Sequence, residues 1–226
     1  MLKKEIREII SGSRDQGWVL EPEAKRLLSL TGLAVPRYKW TSDPKKAAEF
    51  AREIGYPVVA KVVSPEILHK SDRGGVVTGI DGDAKMYDTF RGFSEFQGFN
   101  GILVEEMLAG VELIVGAKVD YQFGPVILLG IGGTGVEIYR DTSLRMAPLE
   151  SRHVASMVKG LKGHHLLQGY RGSEPINVEE LTRMMITFSK LVMDIKSLIG
   201  SIDLNPVICS RKACVIADAR IMLTAE

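Results

Sequence analysis

Cysteine is scarce in this chain. It occurs twice, as Cys209 and Cys214, close together in apolar stretches and without a CxxC pair. That excludes a small fold stapled by many disulfides and leaves a buried structural role as the expected one. Long apolar runs are missing too, and none reaches the ~18–20 residues of a membrane span. There is no excess of charge, with 29 Lys+Arg against 28 Asp+Glu. Nothing in that balance points to nucleic acid or an acidic membrane as partner. Basic pairs such as Lys3–Lys4 and Arg211–Lys212 read as solvated surface. No 20–50-residue repeat and no low-complexity linker is seen. The GxxxxGK[ST] phosphate loop is absent, and so is a GxGxxG opening a helix, so any phosphate site is built another way. Met1–Ser11 is charged and helically spaced through Leu2, Ile6, Ile9 and Ile10, an amphipathic helix rather than an export segment. With so little cysteine, the expected setting is the cytoplasm.

What is present is a chain of 226 residues, 45% hydrophobic, enough for one large domain or two small lobes. Glycine is plentiful at 23 residues, clustered at Gly74–Gly75, Gly130–Gly135 and Gly169–Gly172, where backbone can come close to something. Helices are expected from Glu21-Pro22 to Gly32, after the Asp43-Pro44 cap to Gly55, over Asp83–Phe96, Ser151–Lys159 and Val178–Ile195. Strands are expected at Arg37–Trp40, Val58–Val63, Gly74–Ile80, Ile102–Met107, Val111–Val119, Pro125–Leu129 and Val136–Tyr139. A terminal hairpin joins Ile202–Leu204 to Ala213–Ala217. Helices and strands mix without a regular βαβ rhythm, which favours an α+β fold over a doubly wound sheet.

Five groups could carry chemistry. Lys61 sits inside Val58-Val59-Ala60-Lys61-Val62-Val63. It is either a phosphate-clamping lysine or an outward residue of a half-exposed strand, since its charge must reach solvent or a partner. Arg73-Gly74-Gly75 offers positive charge and close backbone N–H groups, as in a phosphate-cradling nest, or an ordinary turn. Glu105 and Met107 end a strand and Glu112 follows in the next. They suit a purine hinge with a ribose-binding acid, or a solvated edge. Asp203, Asn205 and Asp218 offer oxygen ligands of the kind Mg²⁺ prefers, or an Asx turn at Asn205-Pro206. His69 lies just before the glycine pair, where an imidazole can take a phosphoryl group or act as acid or base, or be an incidental loop residue. His153, His164 and His165 lack such a setting.

The order of these groups resembles the ATP-grasp superfamily. The resemblance is closest to the ADP-forming acetate/acyl-CoA synthetases, relatives of succinyl-CoA synthetase. It is carried by Pro57–Val63, Ile67–Val77, Leu103–Val119, Phe123–Leu149, Leu166–Gly172 and Ile202–Pro206, spread over most of residues 20–220. The resemblance implies a single ATP-grasp domain over 1–226. One lobe would span about residues 21–103, the other 1–20 with 104–226, with the nucleotide between them. It implies that Lys61 contacts the α/β phosphates and that Arg73, Gly74 and Gly75 form the loop over the triphosphate. Glu105 and the backbone near Met107 would face the base, and Glu112 the ribose. Asn205 and Asp218 would bind Mg²⁺, with Asp203 a weaker ligand, and His69 would take part in phosphoryl transfer.

The same resemblance implies an α subunit carrying a CoA-binding domain and a phosphohistidine, in an α2β2-like assembly. This chain would bind ATP or ADP with Mg²⁺ and be inactive alone. One position departs from the family pattern: Ser201 stands where Glu is usual before Asp-x-Asn-Pro, which weakens the expected outer shell of the metal. Glu137, Arg145 and Arg171 fall in matching stretches without an assigned role. Two other functions share the pattern. A single-chain carboxylate ligase would carry its own substrate residues and need no histidine relay. A nucleotide-sensing module would bind nucleotide and catalyse nothing.

Overall fold

A computed structural model describes residues 3–133, 141–170 and 174–224. The expected strand Val136–Tyr139, with Glu137, and Arg171 lie outside the described residues. The chain divides into two compact units, Pro36–Leu108 and Met1–Val35 with Ala109–Glu226. This corrects the expected lobes at two places. Residues 21–35 belong with the larger unit, because Ala24, Leu27 and Leu28 are buried in its core. Residues 104–108 belong with the smaller, because Val104 and Glu105 lie on a central strand of its sheet.

The smaller unit is a four-stranded antiparallel sheet with two helices on one face. The strands are β2 (Tyr38–Thr41), β3 (Val58–Val62), β4 (Val76–Ile80) and β5 (Ile102–Glu106), in the order β2-β5-β3-β4. The helices are α3 (Pro44–Ile54) and α4 (Asp83–Ser94). Asp43 starts α3 as expected, its side chain accepting from the amides of Lys45 (2.8 Å) and Lys46 (3.4 Å). Strand alternation sends Val58, Ala60 and Val62 of β3 and Ile102 and Val104 of β5 to the helices, where Ala47, Ala48, Ala51, Met86 and Phe93 meet them. Lys61 and Glu105 therefore point to the opposite face. At the rim, the Tyr56 hydroxyl donates to Asp83 at 2.8 Å. Burial, then this bond, push the phenol up from 10.0 to about 12. The stabilisation it brings is complete below pH 10.0 and is lost as pH rises through about 12.

The larger unit holds a seven-stranded antiparallel sheet. Its strands are β1 (Trp18–Val19), β6 (Val111–Asp120), β7 (Gly124–Ile131), β8 (Thr142–Met146), β9 (Ile199–Cys209), β10 (Cys214–Ile216) and β11 (Arg220–Leu223). The order is β1-β11-β9-β6-β7-β8, with β10 also paired to β9. Among the described residues its helices are α1 (Lys4–Gly12), α2 (Glu21–Leu30), α5 (Ser151–Gly160), α6 (His164–Leu167) and α7 (Val178–Ile195). α7 runs over the residues its pattern predicts. Leu181, Met184, Met185, Phe188, Leu191, Val192 and Ile195 form one buried stripe, and Asn177 caps its start. That stripe packs on Leu113, Val115, Ile127, Leu129, Ile202 and Leu204. The other face of the same strands carries Glu112, Lys118, Asp203 and Asn205.

The expected terminal hairpin is corrected in register: β10 pairs with Val207–Cys209, while Ile202 and Asp203 pair with a further strand, β11. Cys209 and Cys214 pair across the hairpin and are joined as a disulfide. Both are buried, which is the structural role expected, while the bond itself is an addition to it. Among the described residues no helix is long and apolar enough to cross a membrane.

Candidate functional site

In the smaller unit the expected clamp lysine is buried. Lys61 is 6% exposed and Glu105 2%. Their pairing follows from register: Lys61 lies opposite Leu103, so Glu105, two residues on, shares its face diagonally. The Lys61 ammonium stands 3.4 Å from a Glu105 carboxylate oxygen. This corrects two expectations. Lys61 is not an outward residue of a half-exposed strand, and Glu105 is not a solvated edge acid. Each charge is kept in a dry setting by the other. Glu106 points elsewhere, bonding the Arg37 backbone amide and guanidinium at 2.9 and 3.0 Å. Met107 is half exposed just past the strand.

The glycine pair follows a short 3₁₀ turn, Ser71–Arg73. Arg73 and Gly74 are exposed, and Gly74 has the left-handed φ of 71° that closes the turn. The nest expectation meets a different arrangement. The Gly74 amide donates to Ser71 O at 3.2 Å and the Gly75 amide to Lys70 O at 2.8 Å, so these N–H groups are engaged inside the turn. Gly75 is instead a packing glycine, since a Cβ there would lie 2.6 Å from Val62 Cγ1. His69 is exposed on the loop between β3 and this turn.

In the larger unit one carbonyl brings the Asp218 backbone to the strand that carries Asn205. The β6–β9 register shifts between Leu113 and Val115, where β9 carries the extra residue around Asn205-Pro206. A proline belongs at such a bulge because it has no N–H for the ladder. Asn205 is thereby exposed. Pro206 O accepts from the amides of Ala217 (3.0 Å) and Asp218 (3.4 Å), which brings Asp218 to the Asn205-Pro206 corner. An amide and a carboxylate oxygen there are hard donors of the kind Mg²⁺ takes together with phosphate and water. Asp203 is engaged differently: Arg220, directly opposite on β11, donates to its carboxylate at 3.0 Å. Among the described residues no three His, Cys, Asp or Glu side chains form a metal cluster.

Glu112 is exposed on the same sheet, and Gly132 donates to its carbonyl at 2.7 Å. A Cβ at Gly132 would lie 2.8 Å from both the carbonyl carbon and oxygen of Glu112, where backbone cannot yield. Gly132→Ala is expected to cost about 1–3 kcal/mol of stability, as overpacking does. It should also move Glu112 and weaken nucleotide binding. Denaturant melts and MgADP titration of the variant check this, and unchanged values in both would remove Gly132 from the site.

Three residues were not singled out by the sequence pattern. Arg220 is one. Glu21 and Lys25 are the others, a buried pair 3.1 Å apart on α2. Lys25 had a signal in the sequence: a lysine between Ala24 and Leu27 on an apolar helix face, with an acid four residues before it. Arg145, left without a role, bonds Ser156 on α5 at 2.7 Å.

Comparison with known proteins shows the family. The family described as ATP-grasp domain matches residues 12–223. The β subunit of ADP-forming acetate–CoA ligase I of Pyrococcus furiosus is 38% identical, over 96% of this chain and 97% of its own. The ADP-forming 4-hydroxybutyrate–CoA ligase of Nitrosopumilus maritimus is 38% identical over 91% of this chain, which spans only 31% of that longer protein. A solved structure of acetyl-coenzyme A synthetase 1 from Ca. Korarchaeum cryptofilum superposes with a TM-score of 0.85 at 37% identity, over 97% of this chain and 100% of that one. It is described as a complex with coenzyme A and Mg-AMPPCP, its phosphohistidine segment pointing towards the nucleotide binding site. The chain belongs to the ATP-grasp family, within its branch of ADP-forming acyl-CoA synthetases.

Proposed function

We propose that this chain is the nucleotide-handling β subunit of an ADP-forming acyl-CoA synthetase. With an α subunit that carries the CoA-binding domain and a phosphohistidine, in an α2β2-like assembly, it interconverts acyl-CoA, ADP and phosphate with acid, CoA and ATP. The reading places the complex in the cytoplasm with these substrates. The observation that supports it most is the Pro206 corner, where the Pro206 carbonyl accepts from the Asp218 amide and so holds the Asp218 backbone next to the Asn205-Pro206 bulge. The β-subunit name of a relative matched over nearly its whole length, and relatives in which such a region is one third of a longer chain, support a partner.

Each residue then has a task. Asn205 and Asp218 hold Mg²⁺, which supplies positive charge to the phosphate oxygens. Lys61 donates to the α/β phosphates, its ammonium kept charged in a buried setting by Glu105. Glu112 accepts from the ribose hydroxyls, and backbone near Met107 reads the base. Arg73 and Gly74, exposed on their turn, close over the triphosphate. His69 handles the phosphoryl group on its way between ADP and the partner. Little covalent chemistry is asked of this chain; positioning and charge compensation do the work.

Calorimetric titration with MgADP, with EDTA as control, tests the reading. Saturable, magnesium-dependent binding is expected, and turnover on mixing with the α subunit of an ADP-forming acetate–CoA ligase. Binding without turnover in any such mixture would make the chain a nucleotide sensor. No binding in either arm would overturn the site.

A further inference from the structure

A lysine, Lys25, is fully buried, at 0% exposure. Its ammonium stands 3.1 Å from Glu21 on the same helix and donates at 2.8 Å to the carbonyl of Ala217, which lies 192 residues further along the chain. A buried ion pair is a poor device for stability alone, since apolar residues of similar volume serve as well or better. What it does here is directional. The Ala217 carbonyl and the Asp218 amide are the two ends of one peptide group. Lys25 takes the carbonyl and Pro206 O takes the amide. The plane of that peptide is fixed from both sides, and with it the direction in which the Asp218 Cα presents its carboxylate.

We infer that Lys25, held by Glu21, is a positioning residue for the metal ligand Asp218. It acts from the core side of the sheet without touching metal or nucleotide. The inference rests on the reading of Asn205 and Asp218 as the Mg²⁺ site. Partners one bond removed from a metal ligand typically set affinity by about 10–100-fold. An apolar side chain at position 25 would remove the Lys25 donor from the Ala217 carbonyl and loosen the hold on the 217–218 peptide.

The test separates metal coupling from folding. ADP binding is titrated with and without Mg²⁺, the metal-free arm in EDTA, and the ratio of the two affinities is the coupling. In Lys25→Met the coupling is expected to fall by about 10–100-fold, while metal-free ADP affinity stays within about twofold. Because Lys25→Met strands the Glu21 carboxylate, the same titrations are run on Glu21→Gln/Lys25→Met, which buries no charge and keeps similar volume. The double variant is expected to show the same loss of coupling with a wild-type melting temperature. Wild-type coupling in the folded double variant would overturn the inference and leave the magnesium site intact. Equal weakening of both arms would also overturn it, since that is what a merely structural lysine would do. Absence of any coupling in the unmodified protein would instead overturn the magnesium site itself, and this inference with it.

Discussion

In His69→Ala, phosphoryl transfer through the reconstituted synthetase should fall by about 10²–10⁴-fold, the range for removing a positioned proton-transfer group. Affinity for MgADP should stay within about twofold. The two effects separate because of where the residue sits. His69 is exposed on the loop after β3, while the lysine–glutamate pair is buried within the strands. An exposed loop substitution of this kind is expected to change stability by no more than about 0.5 kcal/mol, so lost turnover is not explained by lost folding. The readout is single-turnover formation of ATP from acyl-CoA, ADP and phosphate, with an alkaline denaturing quench, because the P–N bond of a phosphohistidine survives base and hydrolyses in acid. Phosphoryl groups accumulating on the partner, with none reaching ADP, would place His69 at the second transfer. Normal turnover would return His69 to a loop residue without a role.

The legible parts of this protein are those decided by near neighbours. Asp43 before Pro44, and the buried stripe of Val178–Ile195, are local facts of hydrogen bonding and helical period. The parts that escaped depend on register between distant strands. Alternation puts Lys61 on a face, but only the pairing of Val62 with Ile102 brings Glu105 beside it. Nothing within β3 tells that from an outward lysine. Asp203 read as a ligand candidate because its partner, Arg220, lies on a strand that period alone did not reveal. The Gly74–Gly75 pair looked like an anion cradle since glycine frequency does not say where amides point. The structure points them at Ser71 and Lys70. The lobe boundaries slipped for the same reason: helix α2 is visible in the sequence, and the core it joins is not. Asn205 and Asp218 were candidates because both fall in the expected terminal hairpin region and in the family pattern; their spacing of 13 alone does not connect them.

Lys61→Met should be the most damaging single change, and its damage should have two parts. The first is binding. A charge-assisted hydrogen bond to phosphate is worth about 1.5–3 kcal/mol, so the dissociation constant for MgADP should rise about 10–150-fold. The second is stability. Removing one member of a buried ion pair costs about 3–5 kcal/mol, and here the group that loses its countercharge is Glu105 at 2% exposure. Lys61→Met alone cannot distinguish a clamp from a strut, because a loosened sheet also binds badly. Lys61→Met/Glu105→Gln can. The neutral double variant restores a dry, uncharged face between β3 and β5, so most of the lost stability should return in denaturant melts. Nucleotide affinity should not return with it, because no ammonium remains to meet the phosphates. Stability and affinity recovering together would mean that Lys61 serves only Glu105, and the phosphate clamp would have to be sought elsewhere on the chain. Stability recovering alone would assign the lysine two partners in turn: the glutamate that keeps its charge in the empty site, and the phosphates for which that charge is kept.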